Sequence, residues 1–187
     1  MNSIQHNYCL TVAHTTKRMK WIVRSAALAA LWVGTAGLKP ANTKYLVISK
    51  SKHTVTIWDD SKWLVRWPCT FGNADMSDKM FQGDRKTPEG SFTIVNKRPH
   101  NKWNKFMLLD YPTKSDYEKF NARKAKGLIP ASAKIGGDIG IHGTWPREDW
   151  AVERLQNWTL GCISMKNHHL DELYTMVDVG TVVIIQR

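Results

Sequence analysis

Cysteine is scarce in this 187-residue chain, and the three present, Cys9, Cys69 and Cys162, are too few and too scattered for a disulfide framework. They also lack the paired spacing of a structural zinc site. Either Cys69 and Cys162 pair, or at least one is a free thiol. Acidic residues are outnumbered, 16 against 27 Lys and Arg, which gives a formal net charge of +11. Such a surplus points to an anionic partner. Nucleic acid is not expected to be that partner, because no reader motif accompanies the charge. Internal repeats and low-complexity segments are missing too. Hydrophobic residues at 42% and charged residues at 23% are globular values, so the chain has the means to build a core. Its length suits one ordinary domain, or one domain behind a processed leader.

The positive charge is unevenly spread. Residues 1–36 hold Lys17, Arg18, Lys20 and Arg24 and no acid, so the rest of the chain carries 11 − 4 = +7. Between Lys97 and Lys126, nine Lys or Arg face only Asp110, Asp116 and Glu118, as a solvated face or an anion-contacting patch. The basic residues near the start precede an apolar stretch, Ser25 to Val33, and then Gly34, Thr35, Ala36 and Gly37. This order of basic, apolar and small residues is that of a secretory signal, with cleavage after Ala36. The apolar stretch is short for a bilayer span, and membrane contact is expected only through this segment if it is kept. Met19 would begin a signal of more usual length. The expected organisation is therefore an untranslated or leader extension at 1–18, a signal peptide at 19–36, a linker at 37–42 and one domain at 43–187, exported to the periplasm or cell envelope.

Past the linker, residues 45–49, 54–58 and 64–71 are rich in β-branched and aromatic side chains and separated by turn-prone polar segments, with Asp59-Asp60-Ser61 as a hairpin loop. Further strands are predicted at 91–96, 106–109 and 181–185. A helix is predicted at 116–126, capped by Ser115 with Glu118 and ended by Gly127. Two more are predicted at 148–157 and at 168–177, the last capped by Asn167. The fold class is mainly β with helical insertions.

Two segments carry chemistry. In Ile139-Gly140-Ile141-His142-Gly143-Thr144 and Trp158-Thr159-Leu160-Gly161-Cys162-Ile163-Ser164-Met165, a reactive side chain sits beside glycine, where backbone can approach a ligand closely. A thiol attacks as thiolate, and an imidazole can take its proton. Cys162 would be the nucleophile and His142 the proton donor and acceptor. The Gly161 backbone would help hold an oxyanion, and a carbonyl near Gly143 would orient the imidazole. This chemistry needs no cofactor.

These segments resemble the YkuD-type L,D-transpeptidase family, whose signature is His-Gly, a spacer of about sixteen residues, then Ser/Thr-His-Gly-Cys. Sixteen residues separate His142 from Thr159, and Gly161-Cys162 follow where the signature requires. The resemblance extends to the Lys44 to Ser49 strand, to Gly83 with Thr87-Pro88-Glu89-Gly90-Ser91-Phe92, and to Asp171-Glu172-Leu173-Tyr174 and Val179-Gly180-Thr181-Val182. It implies a single β-sandwich catalytic domain acting on peptidoglycan stem peptides, cut between a diamino acid and D-alanine to leave a thioester on Cys162. Thr159, Ser164, Trp145 and Trp158 would contact substrate. Two positions depart from the family pattern: Leu160 stands where a His is usual, and Ser164 where Arg or Asn is common. Such variants look similar to branches that hydrolyse crosslinks.

Three functions stay open on the sequence: a transpeptidase, a hydrolase with the same Cys-His pair, and a non-catalytic wall-binding module. The expected state is a monomer. No metal is expected, since His168 and His169 are adjacent and would point to different helix faces with no third ligand. His53 and His100 read as surface loop residues, and Cys69 as a strand residue.

Overall fold

Alternation of apolar and polar side chains builds the scaffold. The computed structural model describes residues 43–187, so the expectations for the leader, signal and linker lie outside the described residues. Strand β1 (Lys44–Ser49) turns Leu46 and Ile48 inward, and β2 (Thr54–Asp59) turns Val55 and Ile57 to meet them. The remaining strands are β3 (Lys62–Thr70), β4 (Gly90–His100), β5 (Asn104–Leu109), β6 (Gly140–His142), β7 (Ile163–Met165) and β8 (Val182–Gln186). They add Cys69, Phe92, Ile94, Met107, Leu109, Ile141, Ile163, Met165, Val183 and Ile185 to the same core. A one-residue slip of any strand would turn its inward set to the other face, so this alternation also fixes the register.

The strands close on themselves in the order β1-β2-β3-β7-β6-β5-β4-β8. The mainly β fold is as predicted, and its two expected layers are continuous. Strand β3 pairs with both β2 and β7, and β4 with both β8 and β5, so no layer ends in an open edge. Two pairings are parallel, β1 with β8 and β6 with β7. Both join segments distant in sequence. The hairpin loop is shorter than predicted: Asp59 pairs with Lys62, leaving Asp60 and Ser61 as the turn.

Helix α1 (Lys114–Ala125) starts two residues before its predicted position. Its cap is Thr113, whose Oγ1 accepts from the Asp116 amide while the Asp116 carboxylate accepts from the Thr113 amide; the Ser115 and Glu118 pair has the same spacing but starts two residues later, already inside the helix. Gly127 does end the helix, in the left-handed region at φ +67, where its amide bonds to Lys124 O and that of Leu128 to Arg123 O. The predicted helix at 148–157 shrinks to α2 (Trp150–Glu153). Helix α3 (Asn167–Met176) begins at Asn167 rather than after it; Lys166 is the cap residue, and the Asn167 side chain is engaged elsewhere. Strand β4 runs four residues past its predicted end, through Lys97-Arg98-Pro99-His100, a polar stretch that hides its pairing with β5.

The 72–89 loop is held by buried charge. Lys50 is almost fully buried, ion-paired with Glu89 at 2.7 Å, and donates to the carbonyls of Ser77 and Thr87. Lys79 pairs with Asp84 at 2.7 Å in the same loop. Such pairs leave a costly bare charge when one partner is removed, which favours a single loop conformation.

Candidate active site

Strands β6 and β7 run parallel, with Ile141 opposite Ile163 and His142 opposite Ser164. Side chains alternate across a strand, so the inward Ile141, Ile163 and Met165 leave His142, Ser164 and Cys162 on the outer face. Cys162 is therefore the diagonal neighbour of His142, and Gly140 lies beside it. A glycine is required at 140 because a Cβ there would meet Met107 O and the Phe106 ring, both at 2.6 Å. Both His142 and Cys162 line one cavity of about 580 Å³.

The imidazole is enclosed by aromatic rings. Trp103 stacks on it at 4.6 Å between centroids, Phe106 lies parallel at 6.0 Å, and Trp158 meets it edge-on at 5.4 Å. His142 Nδ1 is 2.7 Å from the carbonyl of Gly143. A carbonyl only accepts, so Nδ1 carries the proton and Nε2 is left as a free base. Burial pulls the His142 pKa down to about 4, against the opposing pull of the Gly143 carbonyl. Burial pushes the Cys162 thiol up to about 11, although the Gly140 amide bonded to the sulfur works the other way. At neutral pH the two therefore rest as imidazole and thiol. The thiol donates to Asp138 O at 3.4 Å, and among the described residues no hydrogen bond joins it to His142.

The other expected site residues separate into those on the cavity wall and those behind it. Thr159 and Trp158 line the cavity. Thr159 Oγ1 donates to Cys162 O at 2.8 Å and accepts the Gly161 amide at 3.2 Å, so that amide already has a partner. Gly161 has φ +128, and a Cβ on it would meet Lys86 O at 2.8 Å. Ser164 is fully buried beneath Gly143, its Oγ donating to the Gly143 carbonyl at 3.4 Å, and it is not part of the cavity lining. Trp145 packs against Trp103 and Trp158 outside the cavity lining. Cys69 and Cys162 are both free thiols, and Cys69 is buried in β3. His100, expected on a surface loop, instead ends β4, stacks on Trp103 at 4.4 Å and lines the cavity. His53 is half-buried, with Nδ1 facing Cys69 O.

The model of the YkuD L,D-transpeptidase catalytic domain matches residues 43–185. The chain belongs to this family. No curated protein matches it. Among solved structures, Bd1075 of Bdellovibrio bacteriovorus is similar in fold, with TM-score 0.57 and 16% identity over 78% of this chain and 48% of that one. The helical cell shape determining protein Pgp2 of Campylobacter jejuni gives 0.56 and 24% over 78% and 48%. L,D-transpeptidase 3 of Mycobacterium tuberculosis, in complex with a faropenem-derived adduct, gives 0.50 and 18% over 78% and 60%. The chain thus spans between about half and three-fifths of the length of these proteins.

Within this L,D-transpeptidase domain, Leu160 is 79% exposed on the cavity rim. Behind His142, a polar layer holds the Gly143 segment. Asp149 accepts from Thr144 Oγ1 at 2.6 Å and from the Asn167 amide at 2.9 Å, and Asn167 Nδ2 reaches Thr144 Oγ1 at 3.0 Å. This layer escaped sequence reading because Thr144, Asp149 and Asn167 carry no shared spacing. Gly143 itself donates to Trp103 O at 3.0 Å. A Cβ at 143 would lie 2.2 Å from Asn167 Oδ1 and 2.9 Å from Trp103 O. Gly143→Ala is accordingly expected to displace the carbonyl at His142 Nδ1 and to lower turnover by roughly tenfold or more, a loss typical of misplacing a reacting group. Steady-state kinetics on a stem peptide, with melting temperature as control, would check this; wild-type rates from the variant would remove Gly143 from the mechanism.

Proposed function

We propose that this domain acts on peptidoglycan stem peptides through a cysteine acyl-enzyme. The observation that carries the proposal is the diagonal placement of His142 and Cys162 on the outer face of two parallel strands, lining one cavity, with His142 Nε2 free. His142 Nε2 takes the thiol proton as sulfur attacks the carbonyl between the diamino acid and D-alanine. The Cys162 amide receives the developing oxyanion, joined by that of Gly161 as its long bond to Thr159 yields. The C–N bond then breaks, His142 returns its proton to the departing amine, and a thioester remains on Cys162. An amine of a second stem resolves it by transpeptidation, forming an amide and restoring the thiol. Action on the wall agrees with export.

A second outcome is favoured by one specific feature. Leu160 presents an apolar side chain on the rim where the family usually has His. With no polar side chain there to receive an acceptor peptide, water can resolve the thioester, and the product is a trimmed or released stem. Incubation with purified muropeptides separates the two by mass. New dimers are expected for transpeptidation and shortened peptides for hydrolysis, while muropeptides left unconverted by the wild-type protein would favour a wall-binding module.

A further inference from the structure

The cavity does not end at the Cys-His pair. A second cleft of about 380 Å³, lined by Arg98, Pro99, His100, Asn101, Lys102 and Trp103, shares Arg98, His100 and Trp103 with the first. Its lining has three basic side chains and no acidic one. The structure also divides the basic run that the sequence leaves undivided. On α1, Lys119 and Arg123 share Asp78, Lys119 also pairs with Asp116, and Lys114 lies near Glu118. Lys105 pairs with Asp171, and Lys97 is bound to the carbonyls of Tyr174 and Val177. Lys124 bonds to a carbonyl, and among the described residues it, Lys126, Arg98 and Lys102 have no carboxylate partner; of these only Arg98 and Lys102 line the cleft, each lying over an aromatic ring, Phe106 and Trp145 respectively. Both are exposed.

Two further groups face the same way in chemical terms. His100 Nδ1 accepts the amides of Lys102 and Trp103, at 3.2 and 3.3 Å, which puts the ring proton on Nε2 as a donor. The indole N–H of Trp103 is buried without a partner. A cleft lined by an unpaired guanidinium, an ammonium and an imidazole N–H, with an unsatisfied indole N–H buried in its wall, has donors and positive charge and no acidic side chain. Guanidinium binds carboxylate in a bidentate fashion, and buried donors gain most from a charged acceptor.

We infer that the β4–β5 hairpin forms a carboxylate-binding extension of the cavity, in which Arg98, His100, Lys102 and Trp103 hold a free carboxylate of the acyl-donor peptide. This rests on the cavity being a stem-peptide site. It assigns Arg98 and Lys102 to substrate selection and gives the unpaired charge of this hairpin a use that the thiol chemistry leaves aside.

The test compares two peptides, a stem tetrapeptide with free carboxylates and the same peptide with those groups as carboxamides. Wild-type protein is expected to show a KM roughly tenfold lower for the carboxylate form, the size of one or two charge-assisted hydrogen bonds, and the difference is expected to shrink with added salt. In the double variant Arg98→Gln/Lys102→Gln the KM ratio should fall toward one, whereas Arg98→Lys, which keeps the charge but not the paired donors, should leave an intermediate ratio. The same pair of peptides is titrated calorimetrically into Cys162→Ala, with and without Arg98→Gln. A wild-type ratio near one, or a ratio preserved in the double variant, overturns the inference and leaves the stem-peptide reading standing. Failure of wild type to convert either peptide, with carboxylate-selective and Arg98-dependent binding still present, overturns that reading and supports the anion cleft alone. Absence of both conversion and binding overturns both.

Discussion

Cys162→Ala is expected to abolish covalent capture of a carbapenem and to lower stem-peptide conversion by roughly four orders of magnitude or more, as removal of a nucleophile does elsewhere. A β-lactam ring offers the same strained acyl group to whichever thiol can reach it, so intact-mass measurement reads out the reacting sulfur. The structure separates the two candidates within the described domain. Cys69 is fully buried in β3 opposite Met165, and burial alone pushes its thiol far above the ordinary range. Cys162 borders the cavity, and the Gly140 amide restrains the rise in its pKa. One adduct per chain is expected in the wild type and in Cys69→Ala, and none in Cys162→Ala. An adduct that survives in Cys162→Ala at the wild-type rate would sink the assignment.

The second large effect concerns His142. His142→Ala is expected to lower kcat/KM by roughly 10²- to 10⁴-fold, the contribution of a positioned general base. The pH profile carries more information than the variant alone. Nε2 must be unprotonated to take the thiol proton, and burial holds the His142 pKa at about 4. Activity in the wild type should therefore persist below pH 6 and fail as pH falls through about 4, not near the 6.5 of an exposed histidine. Stability shifts in the same region. Between 6.5 and 4 the unfolded chain takes up a proton that the folded one refuses, so acid lowers folding stability through that window, by about 3 kcal/mol at 1.36 kcal/mol per pH unit. Circular dichroism in the same buffers separates loss of fold from loss of the base. An acid limb centred near 6.5 with the fold intact would contradict a buried, neutral imidazole.

How much of this was written in the chain differs by element. The meander of β1 to β3 was legible because its apolar residues alternate, and α1 because a capping residue and Gly127 bracket it. The starting residue of α1 was misplaced, since Thr113 with Asp116 and Ser115 with Glu118 offer the same local spacing; only the extended backbone at Thr113 decides between them. Strands β6 and β7 are three residues each, too short for any periodicity to appear. They exist because neighbours on both sides pair with them. His142 and Cys162 were found through the order of a family signature and the glycines beside them. His100, Trp103 and Phe106 had no such spacing, and the stack around the imidazole forms only when the β4–β5 hairpin folds beside β6. Ser164 shows the converse: its place two residues after Cys162 suggested substrate contact, and parity does put it on the face of His142 and Cys162, yet the Gly143 segment covers it and takes its hydroxyl.

By itself, the sequence determined which segments alternate, where backbone must be glycine, and that a thiol and an imidazole lie twenty positions apart in chain order. Those are local properties, set by side-chain period and steric allowance. The tertiary structure alone decided that the two line one cavity as diagonal neighbours across a parallel strand pair, that both are neutral at rest, and which of the nine basic residues in one run find a carboxylate: Lys105, Lys114, Lys119 and Arg123 do, whereas Arg98 and Lys102 at the cleft do not. Pairing register and burial depend on residues far away in the chain, and no local pattern encodes them.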